Sequence, residues 1–285
     1  MIKIVPPLAT RVALLAVLAL ALPFAGCERS ATALWLASYD ADVRAAEKVL
    51  TEAHDDAGRA AGLSARARAR SEKARYSRFR KLIPPAEYER LFALAVADFD
   101  RAAALDPSSA KIYEARGRTY YDRGALEEPG SSEFGRWLGL AEADFTSALE
   151  RDARSASAYD MRALIHSSRG EDDAAIADFS SAATLEPSFR PQWAEAHCRR
   201  GVVRQKAGEA DLAIADYEQS MAIGVPPGSC DCDPYTPLAW VYLDAKKDYD
   251  RSWAIVARAR AERHWVAPEL IERLKRESGR DAGAR

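Results

Sequence analysis

The sequence has few of the residues that build catalytic or metal centres. Among its 285 residues there are 4 histidines, 4 cysteines and 3 methionines. It contains no HExxH motif, no glycine-rich phosphate loop and no Ser/His/Asp set in a recognisable setting. We interpret the scattered carboxylates as solvated helix faces, and we therefore expect neither an enzyme nor a resident metal ion.

The sequence also lacks a run that could span a membrane, and it lacks a strong net charge. A spanning helix needs about 20 apolar residues, and the apolar run from Val12 to Leu22 is broken by Pro23. The 41 basic and 43 acidic side chains nearly balance, so bulk charge gives no argument for a nucleic-acid partner. β-branched residues are scarce after residue 26, whereas alanine and arginine are abundant, which favours helices.

The first 26 residues have the order of an export signal. Lys3 and Arg11 precede the apolar run, whose length suits a signal-peptide core of about 7–15 residues. The residues before Cys27 resemble the lipobox of bacterial lipoproteins, in which a small residue, here Gly26, precedes the cysteine. The alternatives are ordinary signal-peptidase cleavage, which needs a small residue where Phe24 stands, and an uncleaved anchor.

The lipoprotein resemblance implies a diacylglycerol on the Cys27 sulfur and usually a third acyl chain on the new N-terminus. Each buried methylene contributes about 0.8 kcal/mol, and two or more chains anchor a protein stably. In diderm bacteria an aspartate after the cysteine favours the inner membrane, so Glu28 favours the periplasmic face of the outer membrane. We expect no cofactor other than this covalent lipid.

A spacing of small and aromatic residues recurs four times after the leader. An alanine is followed four residues later by an aromatic residue and then by a second small residue, in Ala95/Phe99/Ala102, Ala141/Phe145/Ala148, Ala175/Phe179/Ala182 and Ala213/Tyr217/Ser220. An aspartate stands directly before each aromatic residue, at Asp98, Asp144, Asp178 and Asp216. Pro107 and Pro187 close two of the copies, and 34 residues separate Phe145 from Phe179. This period indicates a repeated structural unit.

A second pattern precedes three of these copies. It consists of an aromatic residue or histidine, an arginine and a small residue, in Tyr113/Arg116/Gly117, Tyr159/Arg162/Ala163 and His197/Arg200/Gly201. A glycine follows at a constant offset, where it would end one helix and open a turn, at Gly124, Gly170 and Gly208. The two-part unit resembles the tetratricopeptide repeat (TPR). The resemblance implies an all-α fold, namely an α-solenoid of helix–turn–helix repeats with terminal capping helices, and partners that are proteins or peptides.

The repeat and its interruptions divide the chain into six parts. Residues 1–26 are the leader, 27–34 carry the lipidated cysteine and a short tether, and 35–58 form an N-terminal capping helix. Four repeats fill 60–232, with insertions near 80–94 and 125–139. Residues 233–278 form a degenerate fifth helix pair and a C-terminal capping helix, and 279–285 form a disordered tail.

Arginine stands where the TPR family usually has leucine. These arginines take matching places on the first helices, opposite the aspartates on the second helices. A partly buried arginine is tolerable when a carboxylate pairs with it. We therefore predict ion pairs within the repeats, namely Arg66–Asp98, Arg116–Asp144, Arg162–Asp178 and Arg200–Asp216. The alternative is that the arginines bind an anionic ligand.

TPR proteins usually bind peptides or partner helices along the groove lined by their first helices. Spacing alone places these residues in the groove: Lys111, Glu114, Arg118, Tyr121, Asp160, Leu164, Arg199, Val202 and Gln205. The carboxylate clamp of the family is not matched. A basic stretch, 59–81, is a second candidate surface for anionic lipid head groups or an acidic partner, or else it is a solvated helix face.

Three cysteines remain after Cys27. In an exported protein a disulfide is the default, and adjacent first helices run side by side, so we predict either Cys198–Cys232 or Cys198–Cys230. The alternatives are free thiols and a metal site made by the three thiols with His197.

Two functions of different classes follow from these observations. The first is a membrane-anchored TPR lipoprotein that acts as a non-catalytic scaffold or assembly factor in the bacterial cell envelope. The alternative is a structural or stress-related envelope lipoprotein without a dedicated ligand. A thiol redox or metal-binding protein that uses Cys198, Cys230 and Cys232 is a third hypothesis.

Overall fold

The computed structural model describes residues 27–79, 82–226 and 232–280, and these residues form twelve α-helices and no strand. The predicted all-α class is therefore confirmed. The leader, 1–26, and most of the predicted tail lie outside the described residues. The helices are α1 (Cys27–Glu52), α2 (Asp56–Phe79), α3 (Pro85–Leu105), α4 (Ala110–Gly124), α5 (Ser132–Arg151), α6 (Ala156–Ser168), α7 (Asp172–Leu185), α8 (Arg190–Lys206), α9 (Ala210–Ile223), α10 (Tyr235–Asp244), α11 (Tyr249–Ala261) and α12 (Pro268–Ser278).

The chain divides between Leu140 and Ala141 into two compact units, and α5 begins in the first and ends in the second. In the first unit α1 packs on α2, α2 packs on α3, and α4 packs on both α2 and α3. In the second unit α6 pairs with α7, α8 with α9 and α10 with α11, and α12 packs on the last pair. Contacts of α7 with α8 and of α9 with α10 stack these pairs in chain order. Short connections between packed helices make each pair a helical hairpin, as the repeat predicts.

Small residues let the paired helices approach closely, and an aromatic ring fills the space beside them. Ala95 and Phe99 are fully buried in the first unit, and Ala213 and Tyr217 are fully buried in the second. A Cβ atom on Gly201 would lie 2.8 Å from Cε1 of Tyr217, which is closer than a packed interior allows. The small and aromatic positions of the repeat are therefore its core contacts.

Gly117 takes the place of Gly201 in the repeat of the first unit. It is buried and lies in the middle of α4, where glycine costs roughly 0.5–1 kcal/mol relative to alanine. Its burial agrees with the structural role that the repeat pattern gives it. The close approach of a facing ring is present at Gly201, and for Gly117 the same contact stays a prediction.

The turn glycines do not all act alike. Gly170 and Gly208 have positive φ values of 75° and 80°, a conformation that glycine adopts at no steric cost. Gly124 is the last residue of α4 and lacks a positive φ. A Cβ atom there would lie 3.1 Å from Cβ of Trp137, so Gly124 allows the start of α5 to pack closely.

Several of the predicted segments contain helix. The tether 27–34 is helical, because α1 begins at Cys27 and no helix breaker stands between Cys27 and Trp35. The insertions near 80–94 and 125–139 are largely helical too, since α3 begins at Pro85 and α5 begins at Ser132. Proline is compatible with the first turn of a helix, so Pro85 opens α3 instead of lengthening a loop.

A buried aspartate on the second helix of a hairpin accepts hydrogen bonds from an arginine on the first helix. Arg66 donates to both carboxylate oxygens of Asp98, at 2.8 and 2.7 Å. Arg162 does the same to Asp178, at 2.7 and 2.8 Å. These two predicted pairs, one in each unit, are therefore confirmed, and each joins the two helices of one hairpin.

Asp216 makes the largest set of these contacts. Nε and Nη2 of Arg200 donate to its two carboxylate oxygens at 3.0 and 2.6 Å. Nη1 of Arg204 donates to Oδ2 at 2.7 Å, and Nδ1 of His197 lies 3.3 Å from Oδ1. Burial of Asp216 disfavours its charge, but the hydrogen bonds from His197 and Arg200 outweigh burial and lower the pKa of Asp216 to about 2. The carboxylate therefore stays ionised in the interior.

A second basic side chain reaches the same aspartate from one turn further along the first helix. These contacts are Arg70 with Asp98, His166 with Asp178 and Arg204 with Asp216. The sequence pattern gave no sign of this role, because Tyr120 occupies the same place in another repeat. Arg116, the arginine of that repeat, contacts Asp100 at 2.6 Å. Its pairing with Asp144 would join the two units and stays a prediction.

We expect Asp216→Asn to lower the free energy of unfolding by about 3 kcal/mol at neutral pH, because it removes the buried carboxylate with which Arg200 and Arg204 both pair. Asp211→Asn changes an exposed aspartate of the same helix and should cost less than about 1 kcal/mol. Urea unfolding followed by circular dichroism measures both values.

The difference in the free energy of unfolding between wild type and Asp216→Asn should also depend on pH. The pKa of Asp216 is about 2 in the folded state and about 3.9 in an unfolded chain. Its charge therefore stabilises the folded state fully above about pH 4, and this stabilisation is lost as pH falls toward 2. Two results would contradict the assignment of Asp216 as a buried, ionised partner of the arginines. One is an equal loss of the free energy of unfolding in Asp216→Asn and Asp211→Asn. The other is a difference between wild type and Asp216→Asn that is unchanged at about pH 3.

Candidate functional site

Two cysteines of the second unit form a disulfide bond. Cys198 and Cys232 are joined by a disulfide, with Cα atoms 6.0 Å apart. Cys198 is fully buried on α8 and packs in the cluster around Tyr217, while Cys232 precedes α10. The bond ties the first helix of one pair to the segment that opens the next pair. Of the two pairings predicted, the structure contains this one, and Cys230 lies outside the described residues.

Histidines of the second unit contact carboxylates elsewhere in that unit. Nδ1 of His264 lies 2.7 Å from Oδ2 of Asp233, and its ring stacks on Tyr235 with centroids 4.3 Å apart. Nδ1 of His166 lies 2.5 Å from Oε2 of Glu171. In the part of the chain that the structure describes, no three His, Cys, Asp or Glu side chains are grouped so that they could hold a metal ion. We therefore assign these histidines to packing.

The predicted groove residues lie on three first helices. Those of the first unit are on α4, where Lys111 and Arg118 are exposed and Glu114 and Tyr121 are half-buried. Nε of Arg118 lies 3.5 Å from Oδ1 of Asp122, one turn further along the helix. Those of the second unit are on α6 and α8, namely Asp160, Leu164, Arg199, Val202 and Gln205.

Three groove residues of the second unit contact the interior. Leu164 packs on the core cluster that contains Phe179, and Val202 packs on the cluster that contains Tyr217. Oε1 of Gln205 accepts a hydrogen bond from the Tyr217 hydroxyl at 2.7 Å. Each of these half-buried side chains therefore takes part in packing, and their contact with a partner stays a prediction.

The exposed face of α8 carries Arg199, Val203 and Lys206. Residues at this spacing share one side of a helix, and Val203 is 57% exposed. Nη2 of Arg199 donates to the Ser167 carbonyl at 3.4 Å, which holds the base of this face to α6. The repeat pattern placed Val202 in the groove but not Val203. Neighbouring residues on a helix point about 100° apart, so the two valines face different surroundings. An apolar side chain between two cations suits a partner that offers apolar and acidic groups.

Most of the basic stretch 59–81 is used inside the first unit. Its side chains form these pairs: Arg59–Asp56, Arg66–Asp98, Arg70–Asp98, Lys73–Asp40 and Arg75–Asp122. Arg68 and Arg78 are exposed, and Arg80 and Lys81 lie outside the described residues. Pairing of this kind leaves a smaller basic surface than the sequence indicated. Within 27–79, 82–226 and 232–280, no helix combines the length and the apolar character needed to cross a membrane.

Three solved structures are similar to the chain. TTC0263, a thermophilic TPR protein of Thermus thermophilus, is 21% identical, and the match covers 74% of this chain and 94% of that one with a TM-score of 0.43. YrrB, described as a TPR protein with an unusual peptide-binding site, is 14% identical over 83% and 94%, with a TM-score of 0.45. PilF of Pseudomonas aeruginosa is 15% identical over 75% and 85%, with a TM-score of 0.41.

No protein-family model matches the sequence, and no curated protein matches it. The identities and TM-scores of the solved structures are low. The fold therefore rests on the helix pairs of this chain, and no partner or activity is carried over from the similar proteins.

We expect the double substitution Cys198→Ala with Cys232→Ala to lower the free energy of unfolding by about 4 kcal/mol, because the disulfide closes a long loop in the unfolded chain. The two cysteines are 34 residues apart. A reducing agent should lower the Tm of the wild type and leave the Tm of the double variant unchanged. Cys230→Ala is the control and should keep the response to reductant. A wild-type Tm that ignores reductant, or a Cys230→Ala variant that does so, would contradict the assignment.

Proposed function

We propose that the protein is a lipid-anchored, non-catalytic scaffold that binds other proteins or peptides in the bacterial cell envelope. The observation that carries the binding role is the exposed face of α8, where Val203 lies between Arg199 and Lys206. This face stands on an interior fixed by the ion pairs of Asp216. A surface that is already ordered loses little entropy when a partner binds.

The disulfide supports the proposed location outside the cytoplasm. Disulfides form and persist in oxidising compartments such as the periplasm and are rare in the cytosol. The leader and Cys27 would supply the export signal and the lipid. Because α1 begins at Cys27, a lipid on this residue would be attached directly to a helix of the first unit. With Glu28 after the cysteine, we propose the periplasmic face of the outer membrane.

The charges favour a protein partner over a nucleic acid. Binding to a phosphate backbone needs a patch or stripe of free basic side chains. In the basic stretch 59–81, the described residues that pair with carboxylates outnumber those that are exposed without such a partner. The face of α8 instead combines two cations with an apolar side chain, which suits a peptide or helix with acidic and apolar residues.

We expect Val203→Glu to disrupt partner binding, because it places a charge at the apolar centre of the α8 face. A photo-crosslinking amino acid at Lys206, one turn away, should capture a defined partner in intact cells. The adduct should fall about ten-fold in the Val203→Glu background. Leu212→Glu is the matched control, since Leu212 is 49% exposed on α9, and it should keep the adduct. No defined adduct, or equal loss in both backgrounds, would refute this role for α8.

We expect Cys27→Ala to release the exported chain from membrane fractions, because the only proposed anchor is the lipid on this cysteine. Mass spectrometry of the wild type should show an N-terminal fragment heavier by the acyl groups, and the variant should lack this mass. Glu28→Asp is the companion variant and should keep the lipid but move the protein to the inner-membrane fraction. Membrane partition of Cys27→Ala equal to that of wild type would disprove the anchor.

A further inference from the structure

The first unit contains a cavity of about 550 Å³ that the scaffold role does not use. Four helices contribute to it, together with the two residues that follow α4. The lining residues are Tyr39, Arg75, Tyr76, Arg78, Tyr88, Asp122, Ala125 and Leu126. Small-molecule sites commonly have volumes of about 300–1,000 Å³ and combine apolar walls with a few convergent polar groups. None of these residues belongs to the α8 face or to the predicted groove.

Aromatic rings form a preformed wall of this cavity. Trp35 stacks on Tyr76 with ring centroids 5.4 Å apart, and the centroid of Tyr39 lies 6.1 Å from that of Tyr76. Tyr88 is 4% exposed and closes the side formed by α3. Packed rings of this kind form a rigid apolar surface. Little of the binding free energy of a ligand would therefore be spent on ordering these side chains.

The polar groups of the cavity are mostly hydrogen-bond donors. Burial raises the pKa of Tyr39 and raises the pKa of Tyr88 to about 12, so both hydroxyls keep their protons. Among the residues that the structure describes, Arg78 has no carboxylate within ion-pair distance. A guanidinium presents several donors and cannot be deprotonated in a protein.

Asp122 is the one carboxylate in the lining, and it is already paired. Its Oδ2 lies 3.4 Å from Nε of Arg75, and its Oδ1 lies 3.5 Å from Nε of Arg118. Asp122 therefore orients Arg75 and has little charge to offer a ligand. The lining holds two guanidinium groups, Arg75 and Arg78, against this single paired carboxylate. A cationic ligand would be repelled by both guanidinium groups.

We propose that this cavity binds a small organic anion, namely a carboxylate or phosphate group attached to an apolar body. The anionic group lies beside Arg78 and Arg75 and accepts hydrogen bonds from the tyrosine hydroxyls. The apolar body lies against the tyrosine rings and Leu126. Free organic phosphates and the head groups of anionic lipids share this chemistry. The proposal depends neither on the lipid anchor nor on partner binding at α8.

Titration calorimetry of the full chain in a neutral detergent tests the ligand class. Phenyl phosphate should bind about ten-fold more tightly than inorganic phosphate, which lacks the apolar body, and than benzyl alcohol, which lacks the anion. Phenethylammonium has the same ring with the opposite charge and should not bind. Binding of phenethylammonium equal to or tighter than that of phenyl phosphate would overturn the proposal, as would no measurable heat with phenyl phosphate.

Substitutions test whether this cavity is the site. Arg78→Gln and Tyr88→Phe should each weaken phenyl phosphate binding about five-fold, since the first removes a positive charge and the second removes a hydroxyl donor and keeps the ring. Arg101→Gln removes an exposed arginine at the far end of the helix that carries Tyr88 and should leave binding unchanged. Circular dichroism shows whether each variant is folded. If a folded Arg78→Gln variant binds as wild type does, or if Arg101→Gln weakens binding equally, the assignment is wrong.

A competition experiment, in which short-chain lipids displace phenyl phosphate, distinguishes lipid head groups from free organic phosphates as the source of the ligand. Dihexanoylphosphatidylglycerol and dihexanoylphosphatidylcholine carry the same short chains, and only the first has a net negative head group. Displacement of phenyl phosphate by the first lipid alone supports the proposal with a lipid as the source. Displacement by neither lipid, with phenyl phosphate still bound at the cavity, supports it with a soluble anion as the source. Equal displacement by both lipids would show that charge is not recognised and would overturn the proposal.

Discussion

A buried carboxylate on the second helix of the hairpin requires basic side chains and hydrogen-bond donors on the first helix. An ionised aspartate in a protein interior costs several kcal/mol unless cations and hydrogen bonds compensate for the lost water. Asp216 meets this requirement with Arg200, Arg204 and His197. A two-pronged hydrogen bond tolerates little sliding, so the pair also fixes the register of the two helices. Arginine can stand at this half-buried position of the first helix because its partner is built into the facing helix.

The same constraint separates the packed side of a helix from its exposed side. Arg200 points inward to Asp216, whereas Arg199 and Val203 lie on the exposed side of α8. Adjacent positions thus have independent tasks, and a change on the outer side leaves the ion pair intact. Arg66 and Asp98 form the same inward-facing ion pair in the first unit. The hairpin is therefore a fixed support for a surface whose composition is free to differ from one first helix to the next.

The sequence predicts those features that depend on local spacing and repetition. The hairpins, the aromatic core positions and the Arg–Asp pairs follow from residues that recur at fixed offsets. Helix starts were harder, because Pro85 opens a helix although proline usually signals a break. The choice between Val202 and Val203 was also out of reach, since packing against neighbouring helices decides which of two adjacent residues faces solvent. The cavity gave no signal at all, because its residues come from separate helices at unrelated spacings.

The place of the cavity follows from where the repeat breaks down. α1 follows neither of the two repeat patterns, and beside the cavity it presents large rings, Trp35 and Tyr39, to Tyr76 of α2. Large rings against a long helix leave gaps that small residues would close. In the repeats, the core positions are committed to alanine, an aromatic ring and an ion pair, so little freedom remains to build a ligand site there. The α1 end of the first unit is not bound by this repeat pattern. Tyrosines and arginines can therefore line the cavity there.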